Sequence, residues 1–340
     1  MESMRAVGFT RSLPIDDPES LFDFEAEVPA PAERELLVKV SATSINPVDS
    51  KRRTNAASDV EFEKPMVLGF DATATVVAVG AETELFKEGD RVWYSGSIDR
   101  QGSNAEYQVV DERIVGRKPA TLNDTEAAAL PLTALTAWEA FFDRMHIEEG
   151  AGSGNTLLII GGAGGVGSIA TQIAKKLTDL TVVATASRDE TRDWCYRQGA
   201  DHVADHYDLV NSVRALDIPD VRWVLNCADL SPHWDSIVEL IAPEGTVASI
   251  VHADGPVDLT QLMFKSVTFA WEMMSTRPIF GTSSMIRQHE ILERVAGLVD
   301  GGEVRSTQTR VLSGLSANTL REAHRAIESG QMIGKLCIDY

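Results

Sequence analysis

The chain has 340 residues, 44% of them hydrophobic and 24% charged, a composition that excludes an intrinsically disordered protein and at this length favours two globular domains. Its 51 acidic and 31 basic side chains give a formal net charge of −20, which excludes nucleic acid as a main partner because such a surface repels a phosphate backbone. The three cysteines are widely spaced, which excludes a disulfide framework and a cysteine-based zinc site.

The unpaired cysteines also favour a reducing compartment. The sequence contains no apolar run of transmembrane length and no basic leader followed by an apolar segment. We therefore expect a cytoplasmic protein that has no membrane partner.

Short predicted strands, separated by glycine and proline, fill about the first 125 residues, the usual size of one domain. They lie at 36–42, 72–79, 91–94 and 105–110. Turn-forming residues such as Pro47, Gly69 and Gly89 stand between them. This part of the chain is predicted to form a β-rich domain.

From Thr125 onward the pattern changes to alternating helices and strands. The predicted helices lie at 134–145, 189–198 and 233–242, and the predicted strands lie at 157–160, 181–185, 223–227, 246–251 and 267–271. This alternation predicts an α/β domain, in which a parallel sheet has helices on both faces.

The last part of the chain is predicted to be of mixed type. Its predicted helices lie at 285–300 and 317–329, and its predicted strands lie at 310–312 and 334–339. A segment this small cannot form a core of its own, so we expect it to return and complete the first domain. The predicted division is 1–127 for the first domain, 128–277 for the α/β domain and 278–340 for the return segment.

A glycine-rich loop follows the apolar strand at 157–160 and precedes a helix. Gly162, Gly164 and Gly167 match the G-x-G-x-x-G pattern of doubly wound (Rossmann) domains. Glycine lets the backbone approach a phosphate closely, and the helix N-terminus offers unpaired N–H groups to it. We therefore predict a dinucleotide pyrophosphate site, whose residues are Gly162, Ala163, Gly164, Gly165, Val166 and Gly167.

The residues after the next strand predict which dinucleotide binds. An acidic residue at this point would accept a hydrogen bond from a ribose 2′-OH and repel a 2′-phosphate, but the chain has Ser187 and Arg188, with Asp189 only after them. A guanidinium fork and a hydroxyl both suit a phosphate. The sequence therefore favours NADP(H) over NAD(H). The alternative for Arg188 is an exposed arginine at a helix start.

Several runs together resemble the medium-chain dehydrogenase/reductase superfamily, in its zinc-independent quinone oxidoreductase branch. In the order of that family they are SINPVDSK at 44–51, LGFDATATVVAVG at 68–80, GDRV at 89–92, AALPLTALTA at 128–137, the glycine loop, and GK at 334–335. The resemblance implies a GroES-like catalytic domain, interrupted in sequence by a Rossmann domain. It also implies hydride transfer from NADPH to quinones or α,β-unsaturated carbonyls.

Departures from the zinc-containing members of that superfamily imply that no zinc is bound. Those enzymes have a Cys within 44–51, a His at the position of Phe70 and a third ligand near 132–135, and none of these ligands is present here. A phenylalanine cannot ligate a metal. A site formed by His202, Asp205 and His206 remains an alternative.

Candidate catalytic residues follow from the same resemblance, and each has an alternative role. Asn46 is an oxyanion donor or a turn residue before Pro47. Lys51, like Asn46, is an oxyanion donor or a proton source, and Asp49 lies near the reacting centre. The alternative for Asp49 and Lys51 is a local ion pair at a helix start. Tyr94 and Thr133 line the reacting centre or pack in the interior. The full set is Asn46, Asp49, Lys51, Tyr94 and Thr133.

Further predictions concern the adenosine end of the cofactor and the oligomeric state. His206 aligns with a position where relatives use an aromatic residue near the adenosine ribose, and its alternative is an exposed loop histidine. The apolar, β-prone stretch 264–274 predicts a sheet edge that pairs across a two-fold axis, so we expect a homodimer.

Two further interpretations of the function stay open. The same cofactor domain would serve reduction of ordinary aldehydes or ketones. The chain could also bind NADPH without turnover, as a redox sensor.

Overall fold

Strands follow one another closely in the first part of the chain and alternate with helices after it. The computed structural model describes residues 2–340. The strands are β1 (Ser3–Phe9), β2 (Phe22–Glu27), β3 (Glu35–Ser44), β4 (Met66–Val67), β5 (Asp71–Val79), β6 (Arg91–Ser95), β7 (Tyr107–Asp111), β8 (Val115–Arg117), β9 (Thr156–Ile160), β10 (Thr181–Thr185), β11 (His202–Ala204), β12 (Val221–Asn226), β13 (Ile241–Ser249), β14 (Thr268–Trp271), β15 (Gln308–Ser313) and β16 (Lys335–Asp339).

Most helices lie in the second half of the chain. They are α1 (Pro47–Asn55), α2 (Asp124–Ala128), α3 (Pro131–Trp138), α4 (Gly165–Leu177), α5 (Asp189–Gln198), α6 (Leu209–Arg214), α7 (Trp234–Leu240), α8 (Thr276–Phe280), α9 (Arg287–Asp300) and α10 (Ala317–Glu328). Directly after α3 the chain continues as a π-helical turn, Glu139–Arg144. Within residues 2–340 no helix has both the length and the apolar character needed to cross a bilayer.

The chain divides into two compact units. The first unit contains the chain up to Leu132 together with Ser275–Tyr340, and the second contains Thr133–Met274. The final segment joins the first unit through β16, which pairs antiparallel with β3 so that Cys337 lies opposite Ser44. The first unit is therefore built from two segments that are far apart in sequence.

Antiparallel pairing dominates the first unit, as predicted for a β-rich domain. Its larger sheet has the order β15-β16-β3-β5-β6-β8, with β7 also pairing with β3, and a smaller sheet has the order β2-β1-β4. Alternate residues of β3 (Leu36, Val38 and Val40) point into the core, as expected for a strand with one buried face. β3 ends at Ser44, and the candidate site begins there.

The second unit is a parallel sheet of the Rossmann type, which confirms the predicted fold class. Its strand order is β11-β10-β9-β12-β13-β14, and every neighbouring pair is parallel. The chain leaves β9 toward β10 on one side and later returns to place β12 on the other side. The carboxyl ends of β9 and β12 therefore form the switch point at which doubly wound folds bind ligands.

A buried polar contact joins α1 to α10 within the first unit. The Arg53 guanidinium is 1% exposed and donates to Glu328 Oε1 at 2.5 Å. One turn earlier on α10, the His324 ring is fully buried, and within residues 2–340 neither ring nitrogen has a hydrogen-bond partner. Burial, assisted by the nearby charge of Arg53, lowers the pKa of His324 to about 3.

His324 is expected to weaken the fold in acid. The folded chain binds a proton on this ring only below about pH 3, whereas the unfolded chain binds it below the ordinary value of 6.5. Stability is therefore lost as the pH falls from 6.5 toward 3. Replacing His324→Met should remove about 2 kcal/mol of the stability difference between pH 7 and pH 5, measured by urea unfolding at both values. The exposed His252→Met serves as the control, and an unchanged acid slope in His324→Met would contradict the assignment.

Candidate active site

The glycine loop between β9 and α4 is packed so tightly that side chains do not fit at two of its positions. A Cβ added to Gly162 would lie 2.7 Å from the Ala184 Cβ, and one added to Gly167 would lie 2.3 Å from the Gly161 carbonyl oxygen. A Cβ on Gly164 would meet its nearest atom only at 3.5 Å. Gly162 and Gly167 are therefore required by packing. Gly164 keeps the outer side of the loop open for close approach of a ligand.

The N-terminus of α4 suits a phosphate. Gly164 caps the helix in extended conformation without a side-chain hydrogen bond, and the first turn contains no acidic residue. The Ser168 N–H donates to the Gly164 carbonyl at 2.9 Å, so the helical hydrogen bonds begin there and the preceding N–H groups point out of the helix. The predicted pyrophosphate residues, 162–167, therefore fit a dinucleotide at the carboxyl end of β9.

The residues predicted to select the cofactor lie just beyond β10. Ser187 is half-buried and Arg188 is exposed at the start of α5. The Thr191 hydroxyl donates to the Arg188 carbonyl at 2.7 Å, which fixes the backbone of this turn. No carboxylate stands between the end of β10 and Arg188.

His206 lies beyond the next strand, β11. It is half-buried, with its ring centroid 4.3 Å from that of Tyr207 and 6.1 Å from that of His233. The Tyr207 ring is 83% exposed. Two aromatic rings therefore stand at the strand end where an adenosine is expected, and only His206 of the two was predicted from the sequence.

A cluster of buried polar side chains surrounds Asp71 in the first unit. The Asp71 carboxylate accepts hydrogen bonds from Ser44 Oγ (2.6 Å), Asn46 Nδ2 (2.8 Å) and the backbone N–H of Leu132 (2.7 Å). The Lys335 ammonium lies 3.2 Å from its Oδ2. Both charged side chains are almost completely buried and lose their contact with water. Each charge is therefore stabilised by the opposite charge of its partner.

Lys335 uses the rest of its donors to hold the start of α1. Its ammonium donates to the Ile45 carbonyl at 2.9 Å and to Asn46 Oδ1. Asn46 is the residue before α1, and both atoms of its amide are engaged in this way. The geometry therefore favours Asn46 as a residue that orders the cluster.

Asp49 lies in the first turn of α1 and closes the cluster on its other side. Its carboxylate accepts the N–H of Asn46 and the N–H of Gly69, each at 2.9 Å, and its side chain is fully buried. Burial raises the pKa of Asp49 to about 7, against the opposing effects of the two N–H groups and of Lys335. A carboxyl group with such a pKa exchanges its proton near neutral pH.

The remaining candidates are Lys51, Tyr94 and Thr133. Lys51 projects from the exposed side of α1. Tyr94 is buried in the core of the sheet, where its hydroxyl donates to Gln108 Oε1 at 2.7 Å and burial raises its pKa. Thr133 is buried at the first position of the second unit.

Three polar members of the cluster were missed by the analysis of site residues. Ser44, Asp71 and Lys335 all belong to runs that carried the family resemblance, but no local pattern shows that they meet. Their contacts join residues 264 apart in sequence, as in the bond from Lys335 to Asp71. The pairing of β3 with β5 places Ser44 opposite Asp71, and the pairing of β16 with β3 brings Lys335 to them.

Two family profiles match the chain. The profile described as "Alcohol dehydrogenase GroES-like domain" matches residues 32–120, and the profile described as "Zinc-binding dehydrogenase" matches residues 198–338. The β-rich unit is therefore of the predicted GroES-like type.

The residues present do not fit the zinc ion that the second description names. Within residues 2–340 no three His, Cys, Asp or Glu side chains come together as metal ligands, which includes His202, Asp205 and His206. The Asp71 carboxylate already shares its charge with the Lys335 ammonium, and its neighbours offer hydroxyl and amide groups in place of thiolate or imidazole.

Relatives cover the whole chain. A zinc-type alcohol dehydrogenase-like protein of Staphylococcus aureus (strain MSSA476) is 43% identical over 339 residues, 99% of this chain and 100% of that protein. A crystal structure of a candidate zinc-dependent alcohol dehydrogenase from Rhizobium etli CFN 42 is 47% identical, covers 100% of this chain and 99% of its own, and superposes with a TM-score of 0.95.

A plant enzyme matches over a shorter length. The chloroplastic NADPH-dependent alkenal/one oxidoreductase of Arabidopsis thaliana is 32% identical over 235 residues, which are 67% of this chain and 58% of that protein. With both units matched by family profiles and with relatives along its whole length, the chain belongs to the medium-chain dehydrogenase/reductase superfamily of oxidoreductases.

Proposed function

We propose that the protein is an NADPH-dependent reductase of quinones or α,β-unsaturated carbonyls that works without zinc. The observation that carries this proposal is the buried cluster of Asp71, Lys335, Asn46 and Asp49, which holds an internal ammonium and a carboxyl group of nearly neutral pKa. The name of the Arabidopsis relative, an NADPH-dependent alkenal/one oxidoreductase, supports the same choice of cofactor and acceptor.

The chemistry divides between the cofactor and the chain. When bound, NADPH supplies the hydride. The glycine loop would hold its pyrophosphate, Ser187 and Arg188 would hold the 2′-phosphate, and His206 would lie at the adenosine. A conjugated acceptor spreads the incoming negative charge over several atoms, so positioning and hydrogen-bond donors can replace a metal electrophile.

Asp49 is the proposed proton source. Its protonated form carries one proton on a carboxyl oxygen, and because the side chain is fully buried that proton would reach the reduced acceptor through an intervening hydrogen-bonded group. Asn46 holds Asp49 through its backbone N–H, and Lys335 fixes Asn46. Thr133 and Lys51 are alternative donors, and Tyr94 is as fully buried as Asp49.

A direct assay tests the reaction class. Oxidation of NADPH should be followed with quinones, enones, simple aldehydes and ketones, with and without EDTA. Turnover of quinones or enones that EDTA does not affect is expected. Turnover of simple aldehydes or ketones alone would favour the second enzyme interpretation, and tight binding of NADPH without turnover of any acceptor would favour the redox sensor.

The pH profile tests Asp49. Since its pKa is about 7 and its acid form is the active one, kcat/KM should fall as the pH rises through 7. Asp49→Asn keeps the shape but carries no exchangeable acid proton, so it should lower kcat by about 10²- to 10⁴-fold and remove this pH limb. Lys51→Met is the matched comparison on the same helix. Retention of the limb in Asp49→Asn would assign the proton to another group.

Cofactor selectivity tests Arg188. The variant Arg188→Gln removes the guanidinium and should raise the KM for NADPH about tenfold or more, because a charge-assisted hydrogen bond to phosphate is lost. The KM for NADH, which has no 2′-phosphate, should stay within about twofold and serves as the internal control. Equal losses for both cofactors would show that Arg188 only supports the fold.

We also propose that a second copy of the chain pairs at the edge of the parallel sheet. The sheet ends at β14, whose outer backbone has no strand partner within residues 2–340. Large apolar side chains are exposed on β14 and on the turn before it, among them Trp271 (53%), Met263 (68%) and Phe264 (93%). An edge strand can pair with its own copy across a two-fold axis, which would cover such a surface.

Light scattering tests the homodimer. The mass at micromolar concentration should be twice that of the chain, and Trp271→Lys should reduce it to that of one chain because a charge would then face its own copy. Val60→Lys, at an exposed apolar site in the first unit, should leave the dimer intact. A wild-type mass of one chain rejects the proposal.

A further inference from the structure

The guanidinium of Arg192 lies between the carboxyl ends of two neighbouring strands. Its Nη1 donates to the carbonyl of Ala186, just beyond β10, at 3.4 Å, and its Nη2 donates to the carbonyl of Val203 in β11 at 3.2 Å. The side chain is half-buried. Ligands of open α/β sheets bind at these strand ends.

The positive charge of Arg192 has no acidic partner. Although the chain has 51 acidic side chains, none of those in residues 2–340 forms an ion pair with this guanidinium. Its two bonds to carbonyls are long and use two of its five N–H donors, so three donors remain. Cations that lose part of their water are normally paired, so this one is available for an anion.

The charges around Arg188 explain why a second cation is needed there. Asp189 and Glu190 follow Arg188 directly, and both are exposed in the first turn of α5. Two carboxylates beside one guanidinium leave the local charge negative, which opposes binding of a phosphate. Arg192, one turn further along α5, adds a second positive charge at this strand end.

We propose that Arg192 binds the 2′-phosphate of NADP(H) together with Arg188 and is a second determinant of cofactor selectivity. Ala186, whose carbonyl accepts this bond, directly precedes Ser187, so the guanidinium is anchored next to the turn that contains Ser187 and Arg188. This inference rests on the proposed function, because it needs NADP(H) as the cofactor.

Calorimetric titration of the whole protein tests the role of Arg192 without turnover. The probes are adenosine 2′,5′-bisphosphate and 5′-AMP, which differ only in the 2′-phosphate. In Arg192→Gln the affinity for the bisphosphate should fall about tenfold to a hundredfold, as expected for the loss of charge-assisted hydrogen bonds, while that for 5′-AMP should stay within about twofold. Arg197→Gln, on the same helix with its guanidinium 5.6 Å from the Trp194 ring, is the matched control.

Each outcome decides between the two proposals. Equal affinity of the wild-type protein for both probes would overturn the proposed use of NADPH and the role of Arg192 with it. A wild-type preference that Arg192→Gln retains, or a loss that is equal for both probes, would overturn the role of Arg192 alone. If thermal melting shows that Arg192→Gln does not fold, Arg192→Lys replaces it, and it should show a smaller but still selective loss because one charge remains without the planar fork.

Discussion

The first unit depends on one buried ion pair, between Asp71 and Lys335. A charge that loses its partner in such surroundings costs about 3–5 kcal/mol, so neither residue can be replaced alone without a large penalty. The pair is also the centre of a network, because Asp71 binds Ser44 and Asn46 while Lys335 binds Ile45 and Asn46. This network holds the start of α1 and, through the Asn46 N–H, one oxygen of Asp49.

The two units use charge in opposite ways. In the first unit, cations and carboxylates are paired inside a dry cluster, where they fix geometry and tune the Asp49 carboxyl group. In the second unit, a helix N-terminus without acidic residues follows β9, and the Arg192 guanidinium lies at the ends of β10 and β11.

Local patterns in the sequence predicted the second unit well. The strand at 181–185 and the helix at 189–198 coincide with β10 and α5, since period, capping and glycine signals all lie within a few residues. The predicted helix at 134–145 is α-helical only as far as Trp138, where α3 ends. From Glu139 to Arg144 the chain continues as a π-helical turn. The strand predicted at 246–251 begins five residues earlier, at Ile241. The cluster around Asp71 could not be predicted in this way, because strand pairing across the whole chain forms it. The roles of Asn46 and Asp49 stay predictions.

The pairing of β16 with β3 also sets the order in which the chain can fold during synthesis. The second unit is continuous in sequence and has all its strands once Met274 has left the ribosome. The first unit lacks Lys335 until nearly the whole chain has been made, so Asp71 must wait without its cation while the parallel sheet is already complete. Pairing between residues so far apart in sequence is slow, so the β-rich segments of the nascent chain stay unpaired while the second unit is already complete.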